Sequence, residues 1–331
     1  MQISKSEYML FCKHPAWLWI KKHAKHLLPP IDEALQARFD DGHAFEPFVE
    51  ALYPNLIRLG FNSYSEYLEM PDKTEEAWDY GAEVVSQGRY ESGSITCISD
   101  IVRRDGDAFI LTEIKSSSSA KKEHELDLAF QKVVLEGAGY PIKRCEVAHV
   151  NNSYVRKGDI SSVELVGFTD ITKAVDALID GTKSRIEKAI RVAQANDMPD
   201  PSPEQAKLKS YDDWLGVRKN ISPPLPDNSI HFLPNMDAEK SSKLIKDGMA
   251  TVDEITDWTV LKPSTQKYLA AKAEGKRIVD KDKLSTFLSE ITYPVYYFDY
   301  EASQSLLPPW DGTRPYQQVP FQYSLHILRQ P

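Results

Sequence analysis

The sequence predicts an α/β fold, and three observations lead there. Between about residues 90 and 170 the spacing of apolar residues switches from strand to helix and back. Within that stretch "RDGD" holds the Asp105-Gly106 pair favoured in tight hairpins, with an apolar run on each side. The composition, 41% hydrophobic and 27% charged, is that of a soluble globular protein. A chain of 331 residues exceeds one ordinary core, so a second domain or a large appendage is expected.

Residues 1–60 read as helical. "SKSEYMLF" starts on a serine able to cap, and "FDDGHAFEPFVEALYP" spaces Phe45, Phe48, Val49 and Leu52 on one face. Strands follow at "SITCISDIV", "AFILTEIK", "RCEVAHV" and "SVELVGF". Between the second and third, "KEHELDLAFQKVVLEGAGYP" places Leu126, Ala129, Phe130, Val133 and Val134 on a helical face closed by glycines and a proline. A further helix is expected over 171–196, after Asp170 as a cap, and "DMPDPSPEQ" then reads as a linker or exposed loop. Beyond the proline-rich "NISPPLPDNSIHFLP" come two or three short helices, and strand texture returns at "YPVYYFDYEAS" and "VPFQYSLHIL".

The net charge of −9 argues against a generally basic surface but leaves a local basic groove open. Cys12, Cys97 and Cys145 are odd in number and widely separated, which fits neither a disulfide framework nor a zinc pattern and points to a reducing compartment. The N-terminus lacks an uninterrupted apolar core, and no run reaches the length of a membrane span, so a cytoplasmic location is expected. In "WLWIKKHAKH" the helix-spaced aromatics are better explained as core than as a nucleic-acid strip, and His23 and His26 as a solvated basic face.

"SDIVRRDGDAFILTEIK" is where chemistry concentrates. Antiparallel pairing across the hairpin brings Asp100 close to Glu113, and Lys115, two positions on, points to the same side as Glu113. Facing carboxylates repel unless protonated or bridged by a cation, and hard oxygens select Mg²⁺ or Mn²⁺. Such an ion polarises a phosphodiester and acidifies a bound water, while the lysine orients that water or offsets transition-state charge. Four serines, 116–119, then offer hydroxyls and amides toward phosphate.

An Asp, a dozen residues, then Glu-x-Lys on a hairpin resembles the PD-(D/E)XK nuclease superfamily, and in particular its RecB-like branch. The resemblance implies a restriction-endonuclease-like core, a mixed sheet flanked by helices. That branch carries a Gly-x-x-x-His element on an N-terminal helix; "GHAFE" puts Glu46 in the histidine's place, with Glu50 as the alternative. Its glutamine after Glu-x-Lys corresponds to Gln131, with Asp127 one turn earlier on the same face, while Leu135 stands where a tyrosine is usual. The implied site has Asp100, Glu113, Glu46 and the Ile114 carbonyl as metal ligands and Lys115 and Gln131 beside them. Arg103, Arg104, Lys121, Lys122 and Arg156 are candidate phosphate contacts.

"HVNNSYVRKGDI" and the segment from "YFDYEAS" onward resemble a bacterial family of unknown function that fuses a RecB-like nuclease to a DEDD-type, RNase H-like exonuclease domain. The resemblance implies a nuclease domain over 1–220, a helical connector over 221–292 and the start of the second domain over 293–331. Asp299 and Glu301 would then be the first half of a second metal site, with no room left for its other two aspartates. Iron-sulfur relatives use one early cysteine and three later ones; Cys12 sits near the early position but "KLKSYDDWLGVRKN" has none, so no cluster is expected. The implied partner is nucleic acid, DNA before RNA, with no membrane and protein partners left open. The alternative is a nuclease fold that binds nucleic acid or a partner without cutting.

Overall fold

One seven-stranded sheet organises the first part of the chain. Its strands are β1 (Ile3–Ser4), β2 (Leu56–Arg58), β3 (Val84–Ser92), β4 (Ile95–Asp105), β5 (Ala108–Lys115), β6 (Ile142–Val150) and β7 (Val166–Asp170). They lie side by side in chain order from β2 to β7, while β1 pairs with the start of β4. The pairs β1–β4, β2–β3 and β5–β6 are parallel and the remainder antiparallel. This is the mixed α/β sheet flanked by helices that the sequence predicts, seen in a computed structural model describing residues 2–30, 33–275, 277 and 279–330.

The helices with it are α1 (Lys5–Lys13), α2 (Pro15–His23), α3 (Glu33–Glu50), α4 (Tyr64–Asp79), α5 (Lys122–Gly137), α6 (Ser162–Leu165), α7 (Thr172–Asp176), α8 (Ile179–Gln194) and α9 (Tyr211–Arg218). Two apolar clusters pack the sheet. Leu111, Phe130 and Val147 belong to one with Tyr8 and Leu18, and Ile114, Ala148 and Val150 to the other with Phe45 and Val49. Neighbouring β6 residues Val147 and Ala148 fall in different clusters, as the two-residue period of a strand requires.

Several elements depart from the expected outline. The N-terminal region is not wholly helical, since β1 and β2 interrupt it, and β3 and α4 lie where the sequence gives no signal. β3 reads "VVSQGRYES"; its short polar pattern becomes a strand through pairing with β2 and β4. The first four residues of "SVELVGF" form α6, and the helix over 171–196 is broken between α7 and α8. The stretch 197–205 is no free linker: Trp214 Nε1 donates to the Pro201 carbonyl and His14 Nε2 lies 3.1 Å from the Ser202 carbonyl.

By compactness the chain divides into Met1–Ser222 with Ser305–Gln317, and Pro223–Gln304 with Gln318–Pro331. Residues 305–317 therefore belong with the first unit. There Leu306, 1% exposed, joins the cluster of Phe45, Val49 and Ile114. Arg156 Nη1 donates to the Pro308 and Pro309 carbonyls at 2.9 Å each, and the Tyr316 hydroxyl donates to the Ser116 carbonyl. The second unit contains α10 (Ala238–Lys246), α11 (Pro263–Glu274) and α12 (Lys281–Ser289). Ile230, Leu233, Leu244, Ile255, Leu261 and Leu269 form its core. It ends in an antiparallel pair, β8 (Val295–Gln304) and β9 (Gln318–Leu328). Among the described residues no helix is long and apolar enough to cross a membrane.

Candidate active site

The site lies where one edge of β4 changes partner. β3 occupies the other edge along Ile95–Arg103, so β1, paired at Ile95 and Thr96, and β5, paired from Ile101 to Asp105, share the remaining one. Asp100 falls in the gap between them. Lys5 follows β1 directly, at the start of α1, where Ser4 and Glu7 form a capping box. Glu113, Ile114 and Lys115 end β5. From above, α5 contributes Asp127 and Gln131, one turn apart and both buried.

Three carboxylates and two ammonium groups meet there. Glu113 Oε1 accepts from Lys5 Nζ at 2.8 Å and from Lys115 Nζ at 2.5 Å, and its Oε2 accepts from Gln131 Nε2 at 2.5 Å. Asp127 takes Lys115 Nζ at 3.1 Å and Gln131 Nε2 at 3.0 Å, and lies 3.5 Å from Lys5 Nζ. Asp100 Oδ2 accepts the Ile114 amide at 2.7 Å. Gln131 thus has both carboxylates on its amide nitrogen, which leaves its buried Oε1 without a hydrogen-bond partner.

Crowding pulls the carboxyl groups apart in acidity. Burial, then the charge of Glu113, pushes Asp100 up to about 7. The same two causes raise Asp127. Burial pushes Glu113 upward too, but the ammonium groups of Lys115 and Lys5 outweigh it and hold that carboxyl well below the usual range. Burial disfavours charge on Lys5 and Lys115, yet the surrounding carboxylates raise both. The pair expected from the sequence is therefore one firmly ionised carboxylate beside one that titrates near neutrality.

A pocket of about 420 Å³ opens onto the group, lined by Lys5, His43, Glu46, Asp100, Glu113 and Lys115 among others. Glu46 thus stands at the pocket, its Oε1 3.3 Å from His43 Nδ1 and its Oε2 3.7 Å from Arg58. Glu50 is turned to Arg58 at 2.5 Å and does not line the pocket. Lys121 and Lys122 are exposed at the start of α5, and Arg103 is half-buried on β4. Two of the candidate phosphate contacts are engaged elsewhere. Arg104 lies over the rings of Trp78 and Phe109, at 5.5 and 5.1 Å, and Arg156 is tied to residues 308–311. Asp299 and Glu301 are exposed on β8 in the second unit, opposite Ser324 and Gln322.

Lys5 is the member the sequence analysis missed. In "SKSEYMLF" it looks like an ordinary solvent lysine beside a cap, and only the pairing of β1 with β4 carries it to Glu113.

Asp100, Glu113 and Glu46 supply hard oxygens to one pocket, the donor chemistry Mg²⁺ and Mn²⁺ take. Among the described residues no group of three His, Cys, Asp or Glu side chains is close enough to hold a metal ion alone. A pair of carboxylates completed by water and phosphate oxygens is nevertheless a common Mg²⁺ environment, so the residues fit such an ion.

Residues 296–331 match DUF2779, a domain of unknown function. Among curated proteins none matches the chain by sequence. One solved structure similar to the chain is a phage-related exonuclease from Haemophilus somnus 129PT. It is 14% identical with a TM-score of 0.26, over 58% of this chain and 93% of that one. Another is SSO0001, 13% identical with a TM-score of 0.22, over 59% of this chain and 88% of that one.

Proposed function

We propose that the first unit is a metal-dependent nuclease of RecB-like PD-(D/E)XK type that hydrolyses phosphodiester bonds, in DNA before RNA, in repair, recombination or defence. The observation carrying this reading is the meeting of Asp100, Glu113 and Lys115 at one open pocket, each with a perturbed pKa. Asp100 and Glu113 would hold Mg²⁺ or Mn²⁺, with Glu46 and the Ile114 carbonyl as further oxygens. Such an ion supplies Lewis-acid polarisation of the phosphate and an acidified water. Gln131 holds Glu113 by its Oε2 and leaves Oε1 to the two ammonium groups. Lys115, held between Glu113 and Asp127, directs its remaining proton toward the attacking water or the charge growing on phosphorus. Lys121, Lys122, Arg103 and the serines after β5 are the nearest candidates to guide the phosphate backbone. Asp299 and Glu301 on β8 would be the first half of a second metal site, incomplete and inactive by themselves.

One observation favours the alternative, a module that binds without cutting: both Glu113 oxygens are already engaged by Lys5, Lys115 and Gln131. One assay decides between them. End-labelled single- and double-stranded DNA is incubated with the chain in Mn²⁺, beside Asp100→Ala and Lys115→Ala. Cleavage that falls roughly 100-fold or more in both variants supports the nuclease. Folded protein that binds Mn²⁺ and cuts nothing supports the binding module.

A further inference from the structure

Resting on the nuclease reading above, we propose that Lys5 is a positioning residue that serves as the site's internal counter-ion, the cation a divalent metal must displace from Glu113. Lys5 lines the pocket, and its ammonium lies 2.8 Å from Glu113 Oε1, the oxygen that Gln131 does not hold. Lys115 reaches the same oxygen, but Lys115 also has Asp127 Oδ2 at 3.1 Å, whereas Lys5 is 3.5 Å from the nearest Asp127 oxygen. Lys115 is thus held at two points while Lys5 has one hydrogen bond here, to Glu113, and Asp127 Oδ1 at 3.5 Å is close enough to receive it when a cation takes that oxygen. Its backbone is fixed: Ile3 and Ser4 pair with Ile95 and Thr96, and the Ser4–Glu7 box holds the first turn. Only the side chain needs to move, from Glu113 toward Asp127.

Without Lys5 the five-charge cluster would carry three carboxylates against one ammonium, an arrangement that attracts a cation more strongly. A merely structural lysine would make the opposite prediction, since loosening Glu113 weakens a metal site.

The test is Mn²⁺ binding by calorimetry and electron paramagnetic resonance, which needs no cleavage, on wild type, Lys5→Met, Lys5→Arg and Asp100→Ala. We expect Lys5→Met to bind Mn²⁺ roughly tenfold or more tightly than wild type. Lys5→Arg, keeping the charge and gripping carboxylate with two donors, should bind no more tightly than wild type. Lys5→Gln, neutral but still a donor to Glu113, carries the same expectation as Lys5→Met should that variant fail to fold. Wild-type binding that is unchanged or weakened in Lys5→Met and Lys5→Gln overturns the inference and leaves the nuclease reading standing. No Mn²⁺ binding by wild type or any Lys5 variant overturns both. Binding that emerges only when the Lys5 charge is removed supports the inference outright.

Discussion

Asp100 shows how much of this site is settled by single atoms. Its carboxyl is ordinarily acidic near 3.8 but is pushed to about 7 by burial and by Glu113, so the folded chain holds the proton that the unfolded chain gives up. The stability this contributes is complete below about pH 4 and is lost as pH rises through about 7. Asp100→Asn keeps an oxygen for the Ile114 amide and removes the titration. In EDTA the variant should melt several degrees above wild type at pH 8 and converge with it near pH 4, as followed by circular dichroism. Gln131 is the converse case, a neutral group whose two donors are spent on carboxylates. Gln131→Leu leaves Glu113 and Asp127 each one donor short inside the protein, and should destabilise by about 1–3 kcal/mol in urea unfolding.

Whole elements set where those atoms can be. His14 ends α1 and caps α2 by accepting the Ala16 amide on Nδ1, while its ring stacks on Trp214 with centroids 3.8 Å apart. Burial lowers its pKa from 6.5 to about 4, so its contribution is full above about pH 6.5 and lost as pH falls toward 4. Protonated Nδ1 can no longer accept, and Trp214 fluorescence should change over that range in wild type but not in His14→Phe. The hairpin of β4 and β5 was legible from the sequence because an Asp-Gly turn fixes register: pairing runs to Ile101 and Thr112, and Asp100, one residue beyond, accepts the Ile114 amide beside Glu113. Gln131 and Asp127 were legible because helix spacing is local. Lys5 was not, since a two-residue strand has no periodicity to read and its role depends on a partner strand some ninety positions away. The partners of Arg104 and Arg156 were illegible for a related reason: proximity in sequence says nothing of which aromatic ring or carbonyl a guanidinium meets.

At the scale of the whole molecule, Ser305–Gln317 binds the first unit to a distant part of the chain. Leu306→Ala would open a hole among Phe45, Val49 and Ile114 and should cost about 2–5 kcal/mol. Hydrogen exchange read by mass spectrometry should then quicken in β5, β6 and the end of α3, and stay unchanged in α10 and α11. Protection that is lost from α10 instead would contradict the assignment of Leu306 to the first unit. That arrangement also has a consequence for synthesis on the ribosome. The sheet, Lys5 and the Glu113 cluster all emerge well before residue 305, yet the apolar cluster of Phe45, Val49 and Ile114 lacks Leu306 until then. The nascent unit must wait through the whole of 223–304 with that cluster incomplete, exposed to chaperones and proteases. Completion of the first unit is thereby timed to the segment made between β8 and β9.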